Sequence, residues 1–235
     1  RSKISQISKC KFGGFKISRF YLLKTFLHFQ VFLFLITGCI YNNVIDSNYY
    51  CERLNISCIK NNRRVSFKTS KGDFDVKLYG KNNPVTANNF IKNIKKNIYK
   101  NIRFYKIINF PQVQVIYSGI YSENNHYKNE NQNLNKFRLN IPLEIKFKKE
   151  IEPKYRYQIE DPSQIVKLAN IFEKGSLAMV KSGDRNSSST EFFFVTNKFP
   201  ELDGRYSIFG KVVKGIEILK KIDKEDLIYE IIISN

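Results

Sequence analysis

A chain of 235 residues that is 42% hydrophobic, 14% aromatic and 26% charged has the make-up of a globular protein, which excludes a disordered or fibrous one and sets one main domain as the expectation. Such a length buries a domain-sized core without metal or disulfide staples, and four cysteines with two histidines leave no structural zinc cluster to expect. The 40 Lys and Arg against 21 Asp and Glu give a net charge of +19, which serves an anionic partner only where it gathers on one face.

Seven of those charges (Arg1, Lys3, Lys9, Lys11, Lys16, Arg19 and Lys24) fall in residues 1–38, which hold no acid. They run into an apolar block at residues 26–38, a length typical of a signal-peptide hydrophobic region and short for a bilayer span of about 20 residues. The block ends at Ile36-Thr37-Gly38-Cys39, which resembles the lipobox of bacterial lipoproteins. Cys39 is therefore the expected lipidation site, since two acyl chains on one residue suffice for stable anchoring. An uncleaved anchor or an ordinary secretory signal fits the same stretch. In either case the basic flank stays cytoplasmic, so the rest of the chain is expected on the extracytoplasmic face, in the periplasm or its equivalent, with the lipid or the segment itself as membrane anchor.

Residues 39–62 carry no sustained period and read as a tether. Cys51 and Cys58 there either pair, as an oxidising compartment permits, or stay free thiols. From residue 63 the pattern becomes regular. Val65 and Phe67, then Phe74, Val76 and Leu78, alternate with polar residues around Lys71-Gly72-Asp73, which predicts a β-hairpin with one buried face. Pro84 followed by Val85, Ala87, Phe90, Ile91, Ile94 and Ile98 predicts an amphipathic helix with proline in its first turn. Strands are expected at 102–108, 113–117, 141–147, 176–181, 192–196, 207–213 and 227–233, with a second helix at 214–222. Residues 122–136 have almost no apolar content and read as a long exposed loop. Many strands with a helix near each end of the set fit a mainly β fold, a closed barrel capped by two α-helices.

Five ordered blocks then carry a resemblance: Val85-Thr86-Ala87-Asn88-Asn89-Phe90, Phe104-Tyr105-Lys106-Ile107-Ile108, Gly175-Ser176-Leu177-Ala178-Met179, Glu191-Phe192-Phe193-Phe194, and residues 202–210 from Leu202-Asp203-Gly204 to Phe209-Gly210. In order and spacing, residues 63–235 resemble a cyclophilin, the peptidyl-prolyl cis-trans isomerase family, in its compact bacterial form. The resemblance implies an eight-stranded antiparallel barrel with two capping helices and an isomerase that needs no cofactor and no metal. Its partners would be proline-containing polypeptides. The basic residues of the domain are spread with Asn and Ile between them, so nucleic acid is not an expected partner.

In that family an arginine donates to the proline nitrogen and carbonyl as amide resonance is lost, a glutamine holds the peptide backbone, and an apolar pocket takes the proline ring. Carried over position by position, the resemblance puts Lys106 at the arginine and Gln114 at the glutamine. Gln112, Met179, Val180, Lys181, Glu191, Phe193, Leu202 and Tyr206 fall at the substrate-binding positions. Tyr206 stands where the family has histidine and Glu191 where it has glutamine. By pattern alone, Met179 and Phe193 fit barrel core as well as pocket, and Lys106 and Glu191 form a candidate ion pair that would neutralise the charge the reaction needs. Lysine keeps the arginine's charge and loses its planar fork. Weakened isomerisation of exported or membrane-associated proteins is the expected function, and a catalytically inactive proline-peptide binding module is the alternative.

Overall fold

The computed structural model describes residues 46–58, 60–120, 140–183 and 185–234. The leader, Cys39 and the loop at 122–136 lie outside the described residues. Eleven strands are present among them: β1 (Arg63–Thr69), β2 (Gly72–Leu78), β3 (Ile102–Asn109), β4 (Gln114–Ser118), β5 (Ile141–Pro142), β6 (Glu144–Ile145), β7 (Lys154–Tyr155), β8 (Ser176–Lys181), β9 (Asn186–Val195), β10 (Ile208–Lys214) and β11 (Leu227–Ser234). Helices are α1 (Ser47–Arg53), α2 (Pro84–Lys95) and α3 (Ile216–Leu219), with 3-10 turns at Pro162–Lys167 and Pro200–Leu202.

The alternation that predicts the first hairpin is realised directly. Val65, Phe67 and Thr69 on β1 and Phe74, Val76 and Leu78 on β2 are buried, and the polar residues between them face outward. The main sheet runs β4-β3-β11-β1-β2-β10-β8-β9, and β9 pairs back onto β4. That last pairing closes an eight-stranded antiparallel barrel and removes its free edges. The small strand β5 hangs on the first half of β9, and β6 and β7 make a separate ribbon. The interior is filled by Phe67, Phe74, Phe104, Phe192, Phe194 and Phe209, each worth about 1.5–3 kcal/mol of burial. Phe90 of α2 lies against Phe67, Phe192 and Phe209 at 5.1–6.3 Å between ring centroids, so α2 plugs the barrel with an aromatic ring. Leu219 and Ile222, from α3 and the turn after it, join the same core.

Pro84 starts α2 as expected, but its N-cap Asn83 makes no side-chain cap. The free amides of the first turn are taken by Glu144 instead: Val85 N–H donates to Oε1 at 3.0 Å, and Thr86 N–H donates to Oε2 at 2.7 Å. Thr86 hydroxyl also donates to Oε2. A carboxylate at a helix N-terminus is favoured by the orphan amides and the dipole, yet Glu144 is 1% exposed, and burial pushes its carboxyl up to about 7 against the pull of those donors.

The structure departs from the sequence reading in four places. The expected strand at 141–147 is broken into β5 and β6 with a single bridge from Phe147 to Leu168, because Pro142 cannot donate to a continuing ladder. The strand expected at 192–196 begins six residues earlier, through the hydroxyl-rich run Ser187-Ser188-Ser189-Thr190. The second helix keeps only the turn Ile216–Leu219. Within the segment read as a tether, residues 46–58 are folded: Asp46 caps α1, Tyr50 and Cys51 bury against Val85, Tyr50 meets the Tyr155 ring at 4.7 Å, and Cys51 is bonded to Cys58. No helix among the described residues is long and apolar enough to cross a membrane.

Candidate active site

Strand register builds the site. Lys106 on β3 stands opposite Tyr117 on β4, Tyr117 opposite Phe193 on β9, Phe193 opposite Ala178 on β8, and Ala178 opposite Ile208 on β10. Side chains alternate between faces, so this row lies on the outside of the barrel wall while the neighbours Ile116, Phe192, Phe194 and Met179 point into the core. A register shift between Phe104 and Lys106 is a bulge that sets both Tyr105 and Lys106 on the outer side, and bulges commonly re-aim a side chain in this way.

The floor of the site is Phe193, 1% exposed. Tyr117 lies at 5.4 Å from it, Tyr206 meets it edge-on at 5.2 Å, and Phe172 stacks on it at 5.7 Å. Half-buried Val180 and Leu202 complete the apolar surface. Phe172 is fixed by its N–H, which donates at 2.6 Å to the buried carboxylate of Asp203, and this gives the Leu202-Asp203-Gly204 block its structural role. Gly204, at φ +74°, leaves no room for a Cβ, which would come 2.7 Å from Ile159.

Lys106 is exposed, with Nζ 5.6 Å from the centre of the Tyr117 ring, a cation–π arrangement worth about 0.5–1 kcal/mol at an exposed position. Burial raises the Tyr117 phenol, with the nearby Tyr206 adding to the effect, so Tyr117 stays a neutral hydroxyl. One row further along, the Tyr105 phenol lies beside the Glu191 carboxylate and favours its charged form. Gly119, the residue after the Ser118–Phe192 pair, lies against Glu191 at φ +116°, where a Cβ would come 2.4 Å from the Thr190 carbonyl oxygen and 2.7 Å from Glu191 Cα. Bare backbone at that point lets a β3 side chain reach β9. Burial pushes Glu191 up to about 7.

The structure brings together Lys106, Glu191, Phe193, Val180, Leu202 and Tyr206. It does not bring in the others. Gln114 sits three residues before Tyr117, about 10 Å along the strand, with its amide donating to Asn109 Oδ1 at 3.0 Å; the register gives the place opposite Lys106 to Tyr117. Gln112 is exposed in the turn between β3 and β4, its carbonyl accepting from Asn197 at 3.2 Å. Met179 is fully buried inside the barrel, one residue out of phase with Ala178 and Val180. Lys181 donates to Gln158 Oε1 at 2.8 Å at the edge of the site. Among the described residues no ion pair joins Lys106 to Glu191 within 4.0 Å, and no three His, Cys, Asp or Glu gather to hold a metal. Tyr117, Tyr105 and Phe172 are the site residues the sequence reading missed. The alternation Val113, Val115, Tyr117 on one face was the available signal for Tyr117, had the turn before it been allowed extra length.

A closed eight-stranded barrel with a cation, an aromatic floor and an apolar wall on its outer face defines the cyclophilin class. The model of cyclophilin-type peptidyl-prolyl cis-trans isomerases matches residues 64–232. The peptidyl-prolyl cis-trans isomerase CYP18-2 of Arabidopsis thaliana is 27% identical over 158 residues, covering 67% of this chain and 79% of its own. A putative thylakoid lumen peptidyl-prolyl cis-trans isomerase of Synechocystis is 28% identical, covering 75% of this chain and 48% of its own. A cyclophilin from Cryptosporidium parvum, solved in the presence of the dipeptide Ala-Pro, superposes with a TM-score of 0.50 at 23% identity, covering 74% of this chain and 99% of its own. The chain belongs to the cyclophilin-type peptidyl-prolyl cis-trans isomerase family.

Proposed function

We propose that the chain isomerises X-Pro bonds of exported or membrane-associated polypeptides, with Lys106 as its cationic donor and at a rate below that of family members that carry arginine. The observation that carries this is the Lys106 ammonium standing over Tyr117 in the same row as Phe193. Rotation about the X-Pro amide meets a barrier of about 18–20 kcal/mol because its C–N bond has double-bond character. At the twisted geometry that character is lost and the nitrogen regains a lone pair. A cation placed to donate to this nitrogen binds the twisted amide better than the planar one and lowers the barrier. The Tyr117, Tyr206, Leu202 and Val180 surface takes the proline ring, and Phe193 holds the two tyrosines from beneath.

A lysine head is one compact donor and cannot hold nitrogen and carbonyl in a fixed plane as a guanidinium does. Losing a preorganised donor costs about 2.7–4 kcal/mol, a hundred- to thousandfold in rate, and the retained charge recovers part of it. The extracytoplasmic setting is supported by the basic and apolar leader, by Ile36-Thr37-Gly38-Cys39, by the Cys51–Cys58 bond of a kind that persists in oxidising compartments, and by the lumenal relative. A second reading, a binding module without catalysis, is favoured by the near-complete cover of Phe193 by tyrosine rings. An isomerisation assay on a short proline peptide separates the two: acceleration above the uncatalysed rate, lost in Lys106→Ala, supports the enzyme, and no acceleration by the wild type supports the module.

A further inference from the structure

Among the described residues Glu191 has no cation within 4.0 Å, and unlike Asp203 it is not committed to the Phe172 N–H. A carboxylate offers about four acceptor positions, and the neighbouring Tyr105 phenol favours its charged form. The cations nearest in the fold are engaged elsewhere: Arg103, next to Phe104 on β3, pairs with Glu225, Lys106 rests on the Tyr117 ring, and Lys181 donates to Gln158. Glu191 is nevertheless only half-buried, so its remaining acceptor positions are open to a ligand lying on the site.

Geometry sets what that ligand presents. Glu191 and Phe193 are alternate residues on the outer face of β9, about 6.7 Å apart along the strand. An extended peptide has the same repeat. With its proline seated over the Tyr117, Phe193 and Tyr206 cluster, the side chain two residues away falls beside Glu191. A cation arriving there gains a charge-assisted bond in a partly desolvated place, where such bonds are strongest. An acid arriving there meets like charge.

We propose that this site selects proline peptides carrying a lysine or arginine two residues from the proline, with Glu191 as the specificity-determining acid. The inference rests on the proline-site reading above. Its test measures affinity separately from isomerisation, so that the two fail independently.

The full chain is titrated at pH 8, where Glu191 is ionised despite the lift that burial gives it, with matched proline peptides that carry Lys, Gln or Glu two residues before, or two residues after, the proline. Wild type should bind the Lys peptide about tenfold more tightly than the Gln peptide on one of the two sides, and the Glu peptide more weakly still. The preference should shrink as salt is raised, because the charges are partly exposed. In Glu191→Gln the Lys-to-Gln ratio should fall to about one, and in Glu191→Asp it should persist in reduced form. A thermal transition confirms that each variant is folded. Equal affinity of wild type for Lys and Gln peptides on both sides overturns the proposal. A Lys preference that survives in Glu191→Gln overturns it too, by placing the selecting acid elsewhere. Tight, selective binding with no isomerisation leaves this proposal standing and removes the catalytic one.

Discussion

Glu144→Gln separates two opposing effects of a buried carboxyl, and pH tells them apart. Glu144 accepts Val85 N–H on one oxygen, and Thr86 N–H and hydroxyl on the other. A glutamine keeps one acceptor oxygen, so turning it toward Thr86 leaves its NH2 facing the Val85 N–H. One buried donor loses its partner, at about 1–3 kcal/mol. Against this, burial lifts the folded carboxyl from its ordinary 4.5 to about 7. The folded state then holds a proton that the unfolded chain has released between those values, and wild-type stability falls as pH rises through that window. The full effect is about 3 kcal/mol, most of which falls between pH 5 and pH 8. Glutamine does not titrate. Denaturant or thermal unfolding of both proteins should therefore show the variant less stable by about 1–3 kcal/mol near pH 5, with the gap closing or reversing by pH 8. A gap that stays constant or widens with pH would refute the reasoning, and would mean that the α2 amides hold Glu144 ionised.

Three further outcomes follow from the packing. Met179→Ala should cost about 2–5 kcal/mol of stability as a core truncation, whereas Val180→Ser should raise KM for proline peptides with a smaller loss of stability; the reverse pattern in paired unfolding and kinetic measurements would put Met179 back in the pocket. Reducing the Cys51–Cys58 bond, which closes a seven-residue separation, should lower stability by up to about 2.4 kcal/mol on loop entropy alone and speed amide exchange in α1, and unchanged exchange would show that α1 is held by Tyr50 and Val85 without it. Tyr117→Leu should weaken proline-peptide binding more than Gln114→Leu does, and equal effects on Kd would contradict the register that sets Tyr117 opposite Lys106.

The barrel was legible because its signals are local. Alternation in 65–78 and the spacing of apolar residues after the Pro84 helix start each follow from side-chain period and fix which residues face the core, whereas the Phe192-Phe193-Phe194 run marks a strand without saying which ring faces inward. What stayed hidden depends on register between strands distant in sequence. Gln114 looks right by counting along the chain from Lys106, but the hairpin between β3 and β4 is longer than such counting allows, so Tyr117 takes the place. Met179 fails for a related reason: a one-residue step along β8 exchanges the inner and outer faces, and block matching does not distinguish them. The helix α1 carries too little periodicity to be seen in seven residues. Its order comes from Asp46, the Cys51–Cys58 bond and burial of Tyr50, all of which are tertiary.

The most direct test of the catalytic claim is the exchange rate of a bound proline peptide, measured by NMR on the full chain with Lys106 as alanine, lysine and arginine. The account predicts three ordered rates: Lys106→Ala near the uncatalysed value, wild type above it, and Lys106→Arg higher again. Equal rates for wild type and Lys106→Ala would contradict it, because the ammonium over Tyr117 would then contribute nothing to the twisted amide.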